Sequence, residues 1–428
     1  MFEAFLQLMS NGLADTFTTS PKAFSRHRKL PLPKLFLFLL FLTAGGKSQG
    51  VDGKSGAFFR HARRSGLWPE AEAVHRSAVT KARAKLSWTA FEHLHRDAVR
   101  LAYEVWPASE EDTWQGLSVF AIDGSKYDLP ASAALRAAFD PDSGLDQPGK
   151  GHYPQCLVST VHDVFRRLPI ARTVRPIADA NEREELKALL PHLPAGGVLL
   201  CDRGYPSYDL IDFVRRQYRG YWLFRGPAQG TFAAVERFVQ SGREQALVTL
   251  QPPKGEAITV RALRLQSPDG TVSVLLTHLL DERRFPAAAV IALYFRRWAV
   301  EIQYRDEKTS LEIETFHGHT ENGIRQELFA ILIVAVIARI LMVLMTDREH
   351  PSAAEPQLKH AIITVATEAA ILTPRCPRLA FVIFNELLTE IARVRYDPPQ
   401  TPRPPQPRVS RRPIRKWQLS KTKRLMNA

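Results

Sequence analysis

Three observations predict a mixed α/β fold. Two short apolar runs, Leu117 to Ile122 and Val198 to Cys201, have the composition of buried strands, and each is followed directly by an aspartate, Asp123 and Asp202. A helical pattern, NEREELKALLPHL, lies between them, so strand, helix and strand alternate. A β-rich stretch then interrupts the chain before it becomes helical again, and a helical region of about 110 residues precedes the whole.

In that first region, AEAVHRSAVTKARAKLSWTAFEHLHRDAVRLAYEVW repeats apolar residues at three and four, with Ser87 as a plausible N-cap. Basic residues punctuate it: SRHRKL at 25 to 30, FFRHARR at 58 to 64, and Lys81, Arg83 and Lys85, with Ser77 and Thr80 as further hydrogen-bond donors. These groups suit phosphate contact. A DNA-binding helical domain and an ordinary basic helical surface both remain open on this pattern. LFLFLLFL, Leu35 to Leu42, is too short to cross a bilayer, which takes about 20 helical residues.

The run ending at Asp123 reads as a strand that stops on its carboxylate, and CLVSTVHDVF and LPIARTV extend it into an antiparallel meander. Asn181 with Glu184 three residues on forms a capping box for the next helix, which Pro191 ends. After Asp202, a short helix in TFAAVERFVQ precedes ALVTL, AITVRALRL and TVSVLLTHLL, separated by turn-forming clusters, which predicts an inserted β-subdomain. Gly318 and Gly323 are expected in turns. Leu328 to Met345 is apolar, but Arg339 interrupts it and charges crowd its ends, so it reads as a core helix and not a membrane span. Ala361 to Leu372 and Leu379 to Ile391 read as further helices.

The formal net charge of +14 calls for a polyanionic partner, nucleic acid or an anionic membrane. From Thr401 to Ala428 there are nine Arg or Lys residues, no acidic ones and several prolines, which predicts an extended tail, either phosphate-contacting or merely solubilising. Cys156, Cys201 and Cys376 suggest neither a disulfide framework nor structural zinc, and fit a reducing cytoplasm. The opening residues lack a basic segment followed by a long apolar core, so no secretory signal is expected, and cytoplasmic localisation is. A Gly-rich phosphate loop is missing, which leaves nucleotide hydrolysis without support.

YFRRWAVEIQYRDEK, residues 294 to 308, carries the sharpest signal. On one continuous helix, Tyr294, Arg297, Glu301 and Lys308 fall within about 60 degrees of each other, while Phe295, Trp298, Ala299 and Ile302 occupy an adjoining sector expected to anchor the helix in the core. Such a stripe also occurs on plain surface helices. Two strand-end aspartates plus Glu301 are the oxygen-rich set that holds Mg²⁺ or Mn²⁺ for phosphoryl transfer. Aspartates after strands also make turns and caps. Arg203 and Arg305 are candidates to widen a phosphate track, Arg305 from the face that carries Glu301. Asp306 and Glu307 are poorer metal ligands, because Glu307 points away from the stripe.

Tyr294, two residues, Arg297, three residues, Glu301, six residues, Lys308, together with AIDGS around Asp123 and CDRGY around Asp202, resembles bacterial insertion-sequence transposases of the DDE class marked by a Tyr-Arg-Glu-Lys signature. The likeness spans about Ser25 to Trp417. It implies a ribonuclease-H-like catalytic core interrupted by a β-rich insertion between the second aspartate and the glutamate. Residues 1–110 would form the helical DNA-binding domain, 111–225 the first part of the core and 226–285 the insertion. Residues 286–395 would hold the catalytic helix and a helical C-terminal region, and 396–428 the basic tail. Asp123, Asp202 and Glu301 would bind Mg²⁺, with Mn²⁺ able to substitute. Tyr294, Arg297 and Lys308 would contact phosphates of double-stranded DNA at the element's end repeats, in a homodimeric complex that cleaves and transfers strands. A metal-dependent nuclease on the same core and a noncatalytic transposase-derived DNA-binding protein are the rival readings.

Overall fold

A computed structural model describes residues 16–396 apart from 21, 26–28, 44–49, 67, 142–152, 254, 267–269, 346–354 and 369–376. Among the described residues, four helices of eight or more residues lie in the N-terminal region: α1 (Leu32–Leu42), α2 (Val51–Arg64), α3 (Arg76–Arg83) and α4 (Thr89–Val105). In α1 every residue from Leu35 to Leu42 is buried, and each such Leu or Phe contributes about 1.5–3 kcal/mol by leaving water. The capping expected of Ser87 is displaced by one position, since Trp88 is the N-cap and makes no side-chain cap bond.

One eight-stranded sheet organises the rest. Its strands are β1 (Val119–Asp128), β2 (Gln155–Asp163), β3 (Leu168–Pro176), β4 (Val198–Cys201), β5 (Tyr221–Pro227), β6 (Gln245–Leu250), β7 (Ile258–Gln266) and β8 (Val272–Thr277), in the order β3-β2-β1-β4-β5-β8-β7-β6. β1, β4 and β5 run parallel, and β2 and β3 form the antiparallel meander read from the sequence. Alternation along β1 sends Val119 and Ala121 into one core and Phe120 and Ile122 into the other. Helices α5 (Ala133–Phe139), α6 (Glu182–Leu189), α7 (Tyr208–Gln217) and α8 (Ala233–Gln240) connect the strands. Asn181 caps α6 by accepting the Arg183 N–H, and a short 3₁₀ turn through Pro191 follows the helix.

Two expectations change here. β1 does not stop at Asp123. It continues to Asp128 because β2 keeps pairing with it, Asp123 opposite Thr160 and Asp128 opposite Gln155. Nor are the inserted strands a separate β-unit, because β8 pairs antiparallel with β5 and so carries β7 and β6 into the same sheet.

The segment from 287 onward is also not one continuous helix. α9 (Ala287–Phe295) ends at Arg296, α10 (Trp298–Arg305) starts after Arg297, and a π-helical turn, Asp306–Ser310, follows directly. Beyond it, α11 (Glu321–Leu344) is the one helix among the described residues long and apolar enough to cross a membrane; 89% of its most apolar window is buried in the protein. It packs against α1, α4 and β3, and against α12 (Leu358–Thr367) and α13 (Pro377–Arg393). Gly318 and Gly323 serve close packing and not the turns expected of them: a Cβ on Gly318 would lie 2.8 Å from the carbonyl carbon of Gly323, which is itself in α11. The basic tail from residue 397 lies outside the described residues.

Candidate active site

β1 and β4 run parallel with Ala121 opposite Leu200, so Asp123 and Asp202 sit two residues further along neighbouring strands, at the same height. β4 ends at Cys201, which frees Asp202 for a turn in which its carboxylate accepts the Gly204 N–H at 2.9 Å. Asp123 accepts the N–H of Gly124 at 2.9 Å. Across from them, Arg297 precedes α10 and Glu301 lies in its first turn.

Arg297 joins the two sides. Its Nη2 donates to Glu301 Oε1 at 2.5 Å, and its Nη1 lies 3.6 Å from Asp123 Oδ2. Only 7% of the residue is exposed, and its Nε and Nη1 have no hydrogen-bond partner. Burial pushes the Asp123 carboxyl up to about 7; Arg297 opposes the rise, and the charges of Asp202 and Glu301 add to it. The three carboxylates thus feel one another. For Arg297 itself, burial disfavours the charge, but Tyr294, Asp123 and Glu301 outweigh it and hold the group protonated more firmly than usual.

In kind, these donors fit a hard divalent cation: oxygen only, mutually repelling and partly desolvated. As the side chains stand, no three carboxylates among the described residues are gathered within ligand distance of one point. The Arg297 guanidinium supplies the local positive charge.

The remaining predicted residues divide. Tyr294 is buried, and burial raises its hydroxyl's proton affinity against the pull of Arg297. Lys308 donates from Nζ to Ser125 Oγ at 2.8 Å and to the Lys126 carbonyl, with its ammonium 4.4 Å from the Tyr127 ring centroid. Arg203 and Arg305 are exposed, and Arg305 Nη2 lies 3.5 Å from Asp306. Of the proposed anchoring face only Ala299 packs against the core; Phe295, Trp298 and Ile302 are 53%, 45% and 46% exposed, whereas Tyr294, Arg297, Val300, Gln303, Tyr304 and Glu307 face inward. At about 100° per residue the inward-facing residues still fall on one half of a single helical wheel, opposite Phe295, Trp298 and Ile302, so the buried side is the one that carries the polar stripe.

Two neighbours escaped sequence reading. Tyr304 donates to the carbonyls of Asp123 and Val158, at 2.7 and 3.0 Å, and so ties α10 to β1 and β2. Glu182, on α6, brings a fourth carboxylate alongside: a Cβ at Gly124 would sit 2.6 Å from its Oε1, and one at Gly204 would sit 3.4 Å from its Oε2. Burial, and then Asp202, raise its proton affinity. The only signal for it was the glycine after each aspartate, which leaves room for a carboxylate that arrives from elsewhere.

A basic cavity of about 1430 Å³ lies in the N-terminal region, lined among others by Lys22, Lys29, Lys34, Ser77, Lys81 and Lys85. Lys29 is paired with Glu72. Arg83 does not join the phosphate-facing set expected of it: it is buried on α11, bonded to Glu327 and Gln326 and to the Gly323 carbonyl.

Residues 114–337 match the family described as Transposase DDE domain, just over half of the chain. Transposase InsG for insertion sequence element IS4, from Escherichia coli (strain K12), is 26% identical over 286 residues, 63% of this chain and 62% of that protein. Putative transposase y4zB of Sinorhizobium fredii (strain NBRC 101917 / NGR234) is 39% identical over 174 residues, 38% of this chain and 48% of its own length. The chain thus spans less than two thirds of either relative. A cryo-EM structure of piggyBac transposase synaptic complex with hairpin DNA overlaps 90% of this chain and 84% of its own, at a TM-score of 0.45 and 10% identity.

Proposed function

The chain belongs to the transposase DDE-domain family, and from that footing we propose that it is a DNA transposase that binds insertion-element ends and catalyses their cleavage and strand transfer. The observation that carries this reading is the buried Arg297 held between Asp123 and Glu301, with the charges of Asp202 and Glu301 acting on Asp123. The strand order β3-β2-β1-β4-β5, with β2 and β3 antiparallel, supports a ribonuclease-H-like core, and β6 to β8 form the insertion between Asp202 and Glu301.

Asp123, Asp202 and Glu301 would hold Mg²⁺, or Mn²⁺ in its place, which when bound supplies activation of a water or 3′-hydroxyl and charge stabilisation at phosphorus. The chain's own residues do the rest. Arg297 offers planar, bidentate donors to a phosphate once it releases Glu301, and Lys308 and Tyr294 add a point charge and a single hydroxyl donor. Arg203 and Arg305 lie exposed for flanking phosphates. The lysines of the N-terminal cavity suit the duplex backbone outside the reacting bond and supply salt-sensitive affinity. A homodimer acting in the cytoplasm would hold a pair of ends.

The test is to incubate purified protein with a matched-end duplex and Mg²⁺, and to compare wild type with Asp123→Ala and Glu301→Ala. End-specific nicking and joining in the wild type alone supports the assignment. Unchanged activity in either variant removes the triad, and wild-type binding without metal-dependent chemistry favours the noncatalytic rival.

A further inference from the structure

Asp123, Thr160 and Arg172 are direct cross-strand partners on β1, β2 and β3, so their side chains share one face of the sheet, the face over which α10 and its π-helical turn lie. Arg172 and Glu307 meet there with side chains 0% exposed, Nη2 to Oε1 at 2.7 Å. Every arm of the pair is engaged. Glu307 also accepts from Gln303 Nε2 at 2.9 Å and, on its other oxygen, from the Tyr127 hydroxyl at 2.6 Å. Arg172 also donates to Thr160 Oγ1 at 3.0 Å and to the Leu328 carbonyl of α11 at 3.1 Å.

A fully buried ion pair is a poor way to gain stability, since desolvation consumes most of the attraction; its attested use is to fix one register among several. Here the register in question is that of α10. Glu307 follows Glu301 by six residues and immediately precedes Lys308, and it sits in the π-helical turn, a departure from α-helical geometry often found at functional sites. With Glu307 locked to Arg172 and Tyr127, Lys308 falls on Ser125 and Glu301 falls opposite Asp123.

We propose that Arg172 and Glu307 are positioning residues that set the rotation of α10, and thereby the placement of Glu301 and Lys308. The proposal rests on the transposase reading for its effect on catalysis, but its structural claim stands on the contacts alone. The test is the paired substitution Arg172→Met with Glu307→Leu, which removes both charges together. Two readouts follow a melting curve: the rate at which an amine-reactive reagent modifies Lys308, measured by mass spectrometry without DNA or metal, and single-turnover end cleavage alongside end-DNA affinity. The expected result is Lys308 modified at least about tenfold faster and cleavage slowed by about a hundredfold with affinity nearly unchanged, since displacing a reacting group by about 1 Å costs that much. Arg172→Lys keeps the charge but loses the fork to Thr160 and Leu328, and should fall between, which preserves the test if the paired variant does not fold. A folded paired variant, or Arg172→Lys, with wild-type labelling of Lys308 overturns the proposal. If labelling rises while the wild type itself never cleaves element ends, the positioning role stands and the transposase reading falls.

Discussion

Replacing Arg83 with methionine should show how the N-terminal helices are held to the core. Arg83 is 6% exposed, and its three donor nitrogens reach Glu327 at 2.9 Å, Gln326 at 3.0 Å and the Gly323 carbonyl at 2.8 Å, all on α11. Burial alone would raise the Glu327 carboxyl; Arg83 first, and then His317, outweigh it and hold the group at about 2 against an ordinary 4.5. Because the folded value is the lower one, this stabilisation is complete above pH 4.5 and is lost as pH falls through about 2; it corresponds to about 3 kcal/mol. In Arg83→Met the carboxylate stays buried without its arginine, and breaking such a pair costs about 3–5 kcal/mol. Protonation of Glu327 relieves that penalty, so the deficit should be largest at pH 7 and shrink at pH 5, where the wild-type carboxylate is still ionised. Urea denaturation followed by tryptophan fluorescence at both pH values measures it. A deficit below about 1 kcal/mol, the size of an exposed pair, or one equal at pH 7 and pH 5, would refute the reasoning.

Gly318→Ala should lower stability by about 1–3 kcal/mol, because the new methyl meets the Gly323 backbone at 2.8 Å and neither side is a yielding side-chain tip; a thermal melt reads it. His61 is held above its usual value by its bond to Glu368 at 2.7 Å, so its contribution is complete below pH 6.5 and disappears as pH rises through the higher folded value. With both groups partly exposed, that contribution is below about 1 kcal/mol, and the melting-temperature difference between pH 6 and pH 8 should narrow in Glu368→Gln. Lys81→Ala and Lys85→Ala should each reduce the slope of log affinity against log salt by about 1 for any duplex, leaving sequence preference untouched.

Most of the sheet was legible as apolar runs between turn formers, although β5 (Tyr221–Pro227), which joins its two halves, was not, and α11 was legible because Arg339 in an apolar run argues for a core. The reading failed where tertiary contacts override local pattern. Nothing in AIDGSKYD announces that β2 will carry β1 past Asp123 to Asp128. On a wheel drawn through residues 294 to 308 the apolar sector of Phe295, Trp298 and Ile302 is the half-exposed one, because Glu307 and Tyr304 bond to Tyr127, Arg172 and the Asp123 carbonyl and turn the polar sector inward, which apolarity alone does not announce. Glu182 was invisible because its relation to Asp123 and Asp202 exists only after β3 and α6 fold back over the strands. Spacing along the chain flagged the groups that share a motif, and could not flag those that arrive from another element.

The joining of β8 to β5 also bears on how this chain tolerates changes of length. Residues between Asp202 and Glu301 run outward to β6 at the rim of the sheet and must return through β8, beside β5, before entering α9. Lengthening or trimming the β6–β7 hairpin leaves that return path intact, whereas a deletion within β8 removes the rail that guides the chain back. Drift in size is therefore cheap at the rim and costly next to β5, which gives the molecule one edge open to evolutionary growth while the spacing of its carboxylates stays fixed.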